Sequence, residues 1–278
     1  MSIYRAKYTR YHGALDPLTR RYFAIASEEL RRFTRDKWFR RLILMSGLPA
    51  LILGVYIYLA AILEQGFGWD PLGGDIFTRL YSWQPWFILL LFAAFGSAQI
   101  SRDIKTRALT LYFTRSVTAF QYMMGKLTAL VVVALLMTLV PGVLLAVTQF
   151  AMKSTYGVWE FADTLWRVVV TSALIAWFMS SFILMLSSIT GVSSRVTGMV
   201  WLVSFICLIM LRQILATQMG LESVAAVVSP YDIVVGTSAV CFQNDLEALP
   251  ALIANVVLSV FFTYALYVRI QSFERSYT

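Results

Sequence analysis

Six long apolar runs constrain this chain more than any other feature of its sequence. They cover residues 42–63, 83–100, 127–151, 165–188, 197–218 and 249–268, and Arg212 is the only charge deep inside any of them. An apolar run of about 20 residues is long enough to cross the hydrocarbon core of a bilayer as a helix. The sequence therefore predicts an all-α polytopic membrane protein with six transmembrane helices.

Composition excludes a soluble protein. Hydrophobic residues make up 59% of the chain and charged residues 14%, whereas soluble domains average about 45–50% and about 25%. A net charge of +8 would suggest nucleic-acid binding in a soluble protein. In a membrane protein, basic residues collect in cytoplasmic loops and face anionic lipid. We therefore expect a lipid membrane as partner and no nucleic acid.

The basic residues also predict the orientation. If the six runs span the membrane, nineteen Lys and Arg residues lie on the side of the two termini and four on the other side. The more basic side is cytoplasmic, so we expect both termini in the cytoplasm of a cell inner membrane. Residues 1–41 are predicted to form a cytoplasmic basic tail with an interfacial helix, and residues 42–278 the six-helix transmembrane domain.

The N-terminal segment from residue 18 to residue 41 has the pattern of an amphipathic helix. Tyr22, Ala26, Leu30 and Phe33 recur on one helical face, and arginines occupy the rest. Such a helix lies in the membrane interface with its apolar stripe in lipid. Anchoring alone and a part in gating are both compatible with this pattern.

The external connection between the fifth and sixth runs, residues 219–248, is too long for a simple link between helices. Apolar stretches on either side of Ser229 and Pro230 alternate with four acidic residues. Two short helices that dip into the outer leaflet and return fit this pattern. A surface loop is the alternative.

Most catalytic signatures are absent from the sequence. There is no phosphate-binding loop, the single histidine His12 excludes an H-E-x-x-H zinc motif, and no apolar run carries a pair of carboxylates. Cys207 and Cys241 make neither a metal site nor a disulfide framework. We therefore expect no catalytic residue, no metal and no cofactor in this chain.

Arg212 lies about 9 Å from the external end of the fifth run at 1.5 Å per residue. Two interpretations stay open. Its side chain reaches the interface by snorkelling, or it contacts an anionic substrate or an acidic residue, with Asp232 and Glu222 as candidates.

The connection between the second and third runs has the most distinctive composition. A short basic helix with Arg102, Lys105 and Arg107 is followed by an apolar patch of Leu109, Leu111, Tyr112 and Phe113, and then by a turn over residues 114–118. An exposed surface of this kind suits a partner protein. The same aromatics could equally lie at the level of the lipid head groups.

This connection resembles the first cytoplasmic loop of ABC-2 type transporter permeases. That family commonly has a charged pair, a Gly-Thr-Leu segment, a hydrophobic run, a Ser-x-Pro turn and a Gly-Lys pair that leads into the third span. The matching residues here are Arg102-Asp103, Ala108-Leu109, Leu111-Tyr112-Phe113, Thr114-Arg115-Ser116-Val117 and Gly125-Lys126-Leu127. Arg107 stands in place of the usual glycine and Ser116 in place of the usual proline. The overall plan of the chain is also similar to that of the family.

The resemblance implies the transmembrane subunit of an ATP-driven transporter, an exporter of undetermined cargo. It implies a separate ATPase chain, which would bind ATP and Mg²⁺, and a second permease copy or paralogue. The implied residues for contact with the ATPase are Arg102, Asp103, Lys105, Arg107, Leu109, Tyr112, Phe113 and Arg115. Leu109, Tyr112 and Phe113 would anchor the interface, and Arg102, Arg107 and Arg115 would form its polar rim. A membrane scaffold or assembly subunit that transports nothing is the alternative.

Overall fold

The computed structural model describes residues 21–67, 76–114, 117–152, 157–190, 193–220 and 222–277. Within these ranges the chain is almost wholly helical and contains no strand. The α-helices are α1 (Arg21–Arg35), α2 (Lys37–Ser46), α3 (Leu48–Phe67), α4 (Ile76–Leu91), α5 (Ala98–Lys105), α6 (Ala108–Phe113), α7 (Ala119–Met152), α8 (Val158–Thr190), α9 (Ser194–Met219), α10 (Glu222–Val228), α11 (Pro230–Gln243) and α12 (Leu249–Tyr277). The basic tail before residue 21, with His12, lies outside the described residues.

In the described part of the chain, six helical segments are long and apolar enough to cross a membrane, which confirms the predicted all-α polytopic fold. They are Lys37–Ile62, Ile76–Lys105, Ala119–Met152, Val158–Thr190, Ser194–Met219 and Leu246–Ser276. Buried residues make up 56%, 50% and 61% of the apolar stretches of the second, third and fourth spans, but only 11% of that of the fifth. The second span, α7 and α8 are therefore the centre of the bundle, and α9 lies at its edge.

The first span begins earlier than the hydropathy of the sequence predicts. A single helix over residues 18–41 was expected, but the described part of it breaks at Asp36. The Asp36 carboxylate accepts a hydrogen bond from the backbone N–H of Trp38 at 2.7 Å and so caps the first turn of α2. α2 and α3 then run on as one span with a short interruption at Gly47.

The second span contains one π-helical segment, Phe92–Gly96, between α4 and α5. The indole of Trp201 in α9 donates a hydrogen bond to the Leu89 carbonyl at 3.0 Å. A Cβ atom on Gly198 would lie 2.6 Å from the Ala93 carbonyl oxygen, so only glycine lets α9 cross here. This contact lies at the π-helical segment, after which α5 continues the second span to Lys105.

The connection before the sixth span forms two short helices, α10 and α11, that meet at Ser229. Ser229 caps α11, and Pro230 occupies its first turn, where proline is well tolerated. Ile233, Val234 and Thr237 are fully or almost fully buried. The predicted pair of short helices is therefore confirmed in place of a surface loop, and their entry into the outer leaflet stays a prediction.

Candidate functional site

The connection between the second and third spans consists of α5, a tight turn and α6. Arg107, at the turn, has a backbone φ of 54° and lies in the left-handed region. This conformation is free for glycine and unfavourable by roughly 1–2 kcal/mol for other residues. The turn closes with a hydrogen bond from the Thr106 N–H to the Arg102 carbonyl at 2.8 Å. It redirects the chain so that α6 folds back toward the start of α7.

A fully buried lysine lies behind this connection. Lys126, in the first turns of α7, is 0% exposed. Its Nζ lies 2.6 Å from Glu29 Oε1 and 2.7 Å from Asp103 Oδ2. The two carboxylates come from α1 and α5, so one ammonium group joins three helices. A buried charge is tolerated only when it is paired in this way.

Two further side chains complete what we term the buried ion cluster: Glu29, Arg102, Asp103, Tyr122 and Lys126. The Tyr122 hydroxyl donates a hydrogen bond to Asp103 Oδ2 at 2.8 Å. Arg102 Nη2 lies 3.9 Å from Glu29 Oε1, and its side chain is 28% exposed. Two cations and two carboxylates cancel, so the cluster is neutral as a whole.

The aromatic rings of α6 pack against this cluster. The ring centroids of Tyr112 and Phe113 lie 5.3 Å and 6.1 Å from that of Tyr122. Burial raises the pKa of the Tyr112 phenol above its ordinary value, so Tyr112 stays neutral at physiological pH. α6 is thereby fixed to the first turns of α7.

Gly125 explains why α1 comes close enough to α7 for these contacts. A Cβ atom at this position would lie 2.7 Å from the Ile25 Cβ and 3.0 Å from the Tyr22 carbonyl oxygen. Contacts that short do not occur, so glycine is required. Ile25 and Glu29 are four residues apart and share one face of α1. The Gly125-Lys126 pair therefore combines a close helix approach with the lysine that binds Glu29.

The predicted amphipathic character of α1 is correct, but the expected surroundings of its apolar stripe are wrong. Ala26 and Phe33 are only 6% and 4% exposed, because the stripe packs against α7 and the main core rather than against lipid. The arginines at 31, 32 and 35 are exposed. An amphipathic pattern identifies the face that is buried and does not identify what covers it.

Seven of the eight residues predicted to contact an ATPase are described, and they fall into three groups. Arg102 and Asp103 belong to the buried ion cluster. Leu109 is 1% exposed in the main core, and Tyr112 and Phe113 are half-buried against Tyr122. Lys105 and Arg107 are exposed, and Arg115 lies outside the described residues.

Leu111 is the exposed apolar residue of α6, with 66% of its surface accessible. Together with Lys105 and Arg107 it forms the exposed loop surface, and this name is used below for these three residues. Because all three side chains are exposed, this surface of one leucine and two cations is open to a partner.

Glu29 is not among the functional residues predicted from the sequence. A signal was nevertheless present, because residues 22, 26, 29 and 33 follow one another at helical spacing. Glu29 is therefore a carboxylate inside the apolar stripe of α1, next to Phe33. A charge in such a stripe indicates a buried partner of opposite sign.

Arg212 has an acidic partner. Its Nε lies 3.4 Å from Asp232 Oδ1, and the two side chains are 40% and 19% exposed. The contact with Asp232 that was one of the two interpretations is therefore present. It joins α9 to the start of α11. The side chain of Glu222, the other candidate, lies outside what the structure describes.

Arg167 joins α8 to the end of α11. Its Nε lies 2.6 Å from Asp163 Oδ2, and its Nη1 donates hydrogen bonds to the Cys241 carbonyl at 2.5 Å and to Asn244 Oδ1 at 3.3 Å. A cation beside the last carbonyls of a helix is favourable. Arg212 and Arg167 thus contact α11 at its start and at its end.

No protein-family model matches the chain, and no curated protein is similar to it at a significant level. The function is therefore inferred from the residues and from the resemblance in the connection between the second and third spans.

Proposed function

We propose that this chain is the transmembrane subunit of an ABC-2 type transporter, an exporter powered by a separate ATPase chain. The observation that carries the proposal is the left-handed turn at Arg107 between α5 and α6. ABC-2 permeases commonly have a glycine at this point of the loop, and glycine is the residue that such a turn favours. At this position the backbone has the conformation that the family's glycine favours, although the residue in this chain is an arginine.

The packing of the loop supports a mechanical role. α5 continues the second span, and α6 is held against the start of the third span through Tyr112, Phe113 and Tyr122. Asp103 and Lys126 form a buried ion pair between the same two spans. A push on α6 would therefore displace both spans and not only the loop. Closure of an ATPase dimer on nucleotide binding would supply this push.

The proposed contact with the ATPase is the exposed loop surface. Leu111 would enter an apolar pocket of the partner, and Lys105 and Arg107 would steer it toward an acidic rim. Leu109, Tyr112 and Phe113 act inside the chain, where they hold α6 in position. This division replaces the expectation that all three anchor the partner directly.

The orientation and the assembly belong to the same proposal. The strongly basic side faces the cytoplasm, which places both termini and the exposed loop surface there. A second permease copy or a paralogue completes the transporter. The three least buried spans, the first, the fifth and the sixth, are available to lipid and to that second subunit.

The test is copurification of the tagged chain from its native membrane, followed by identification of any partner with a phosphate-binding loop. We expect one such ATPase, whose activity rises in the complex. Leu111→Asp should release it, with a loss of about 2 kcal/mol or more if Leu111 is an interface hot spot. Leu246→Asp is the matched control, because Leu246 is 78% exposed but lies on the opposite side of the proposed membrane.

Two results would contradict the proposal. If stable partners are recovered but none is an ATPase, the scaffold alternative is correct. If an ATPase is recovered equally well with Leu111→Asp, the chain has such a partner but the exposed loop surface does not bind it.

A further inference from the structure

A small pocket lies between α1 and the end of the second span, next to the buried ion cluster. Its volume is about 210 Å³. Its polar wall consists of Glu29, Arg32, Asp36, Gln99 and Arg102, and its apolar wall includes Phe33, Phe95 and Ala98. We refer to it as the α1–α5 pocket. None of the interactions described so far occupies it.

Gln99 provides the first reason to expect a ligand. Its side chain is 1% exposed, and neither the oxygen nor the nitrogen of its amide has a hydrogen-bond partner within the described part of the chain. Each buried polar group left without a partner costs about 1–3 kcal/mol. Native proteins rarely retain such groups unless water or a ligand satisfies them.

Glu29 provides a second, independent reason. Its Oε1 binds Lys126, but its Oε2 is buried without a hydrogen-bond partner among the described residues. The pocket thus borders three unsatisfied polar atoms on two side chains from two helices. One of these atoms is a donor and two are acceptors, so the missing ligand must both accept and donate.

The charges of the wall select the ligand further. Arg32 and Arg102 are cationic and Asp36 and Glu29 anionic, while Lys126 and Asp103 behind the wall balance each other. The charged groups around the pocket therefore have no net charge, although the wall contains both cations and anions. A simple anion would be repelled by the two carboxylates, and a simple cation would be repelled by the two arginines. A zwitterion avoids both repulsions, because each of its charges can pair with a group of opposite charge.

We propose that the α1–α5 pocket binds the phosphoethanolamine head group of a membrane phospholipid. The phosphate would accept hydrogen bonds from Arg32, Arg102 and the Gln99 amide, in the charge-assisted geometry that guanidinium groups favour. The ammonium group would donate to Asp36, Glu29 Oε2 and the Gln99 amide oxygen. No covalent change is involved.

Position in the fold indicates a lipid rather than a free metabolite. The pocket lies in the last part of the second span, against an amphipathic helix whose outer face is exposed and basic. A helix that lies in the membrane interface is at the depth of the lipid head groups, so the pocket beside it is at that depth as well. Phe95, Ala98 and the exposed Ala94 continue the wall on the apolar side, where the acyl chains of a bound phospholipid would lie.

The experiment compares the thermal stability of the purified chain in nanodiscs of phosphatidylcholine alone, with added phosphatidylethanolamine, and with added phosphatidylglycerol. The head group of phosphatidylcholine lacks N–H donors, and that of phosphatidylglycerol lacks the amine. We expect phosphatidylethanolamine alone to raise the melting temperature, because a ligand that binds only the folded state stabilises it. Native mass spectrometry should show one retained phosphatidylethanolamine.

Gln99→Leu is the decisive variant. It removes two unsatisfied atoms and keeps the volume, so the fold should be retained or strengthened. We expect it to weaken retention of phosphatidylethanolamine about tenfold and to abolish the lipid-specific stabilisation. Gln149→Leu is the matched control, since Gln149 also has a buried oxygen without a partner but lies at the far end of α7.

Three outcomes would overturn the proposal. Equal stability in all three lipid mixtures would show that the pocket holds only water. A phosphatidylethanolamine effect that survives in Gln99→Leu would place the lipid elsewhere. Displacement of the effect by soluble O-phosphoethanolamine, with no lipid retained, would show that the ligand is a free phosphate ester. None of these measurements depends on the presence of an ATPase.

Discussion

Glu29→Gln removes one of the two carboxylates that hold the buried ammonium group of Lys126. The replacement has the same size and keeps a polar atom near Nζ. What changes is the charge, since the 2.6 Å ion pair between Glu29 and Lys126 becomes a contact between an ion and a dipole. Asp103 is then the one carboxylate left to compensate the positive charge of Lys126.

The expected loss in the free energy of unfolding follows from the burial of both side chains. Lys126 is 0% exposed and Glu29 8%, so water cannot solvate the charge that is left. Loss of one partner of a buried ion pair costs about 3–5 kcal/mol. Because Asp103 remains 2.7 Å from Lys126 Nζ, we expect a value near the lower end, about 3 kcal/mol.

The measurement is the free energy of unfolding of the purified protein in mixed micelles, titrated with a denaturing detergent. Asp163→Asn is the matched control. Asp163 and Arg167 are also 2.6 Å apart, but their side chains are 57% and 31% exposed, and exposed pairs contribute about 0–1 kcal/mol. The same chemical change at the same distance should therefore have a much smaller effect.

A double-mutant cycle tests the physical reason. Lys126→Met leaves Glu29 and Asp103 as two buried carboxylates without their cation, so it should destabilise at least as strongly as Glu29→Gln. The two changes together should cost clearly less than their sum, because each removes the group that the other leaves unpaired. Additive costs, or a Glu29→Gln effect no larger than that of Asp163→Asn, would refute the argument from burial.

Three other substitutions test separate contacts. Gly125→Ala should destabilise by about 1–3 kcal/mol in the same titration, because its Cβ would overlap α1; Gly54→Ala, whose nearest neighbour would be 3.9 Å away, should be neutral or stabilising. Arg107→Gly should stabilise by up to about 1 kcal/mol, since the relief of the left-handed conformation is partly offset by the greater freedom of the unfolded chain. Arg212→Ala should change stability by less than about 1 kcal/mol, because its pair with Asp232 is half-exposed, and a large loss of transport at normal expression would show a functional role for this pair.

Hydropathy and turn chemistry account for what could be predicted from the sequence. Six runs of sufficient length predict six spans, and the Ser229-Pro230 step predicts a break between two short helices, because serine caps helices and proline begins them. Asp36 carried a similar signal before an apolar run. Hydropathy alone does not reveal this start, because Arg40 and Arg41 lie between Asp36 and the apolar run.

Contacts between distant segments could not be predicted. Glu29 and Lys126 are separated by 97 positions, and no local pattern pairs them. The amphipathic stripe of α1 indicated a buried face, but lipid and α7 are equally apolar, so hydropathy could not distinguish them. The conformation at Arg107 was hidden for a different reason, because an arginine gives no local indication of a left-handed turn.

The buried ion cluster has a consequence for the proposed mechanism. A rigid helix that moved away from Lys126 would leave a carboxylate and an ammonium group unpaired in a medium of low dielectric constant. That cost, about 3 kcal/mol or more for each partner, is high enough to keep α1, α5 and the start of α7 together during a cycle. An ATPase that pushes on α6 would therefore move the amphipathic helix as well as the two spans. The basic outer face of α1 would then change its position relative to the lipid head groups in every cycle, so the composition of the inner leaflet should affect the coupling between ATP hydrolysis and transport.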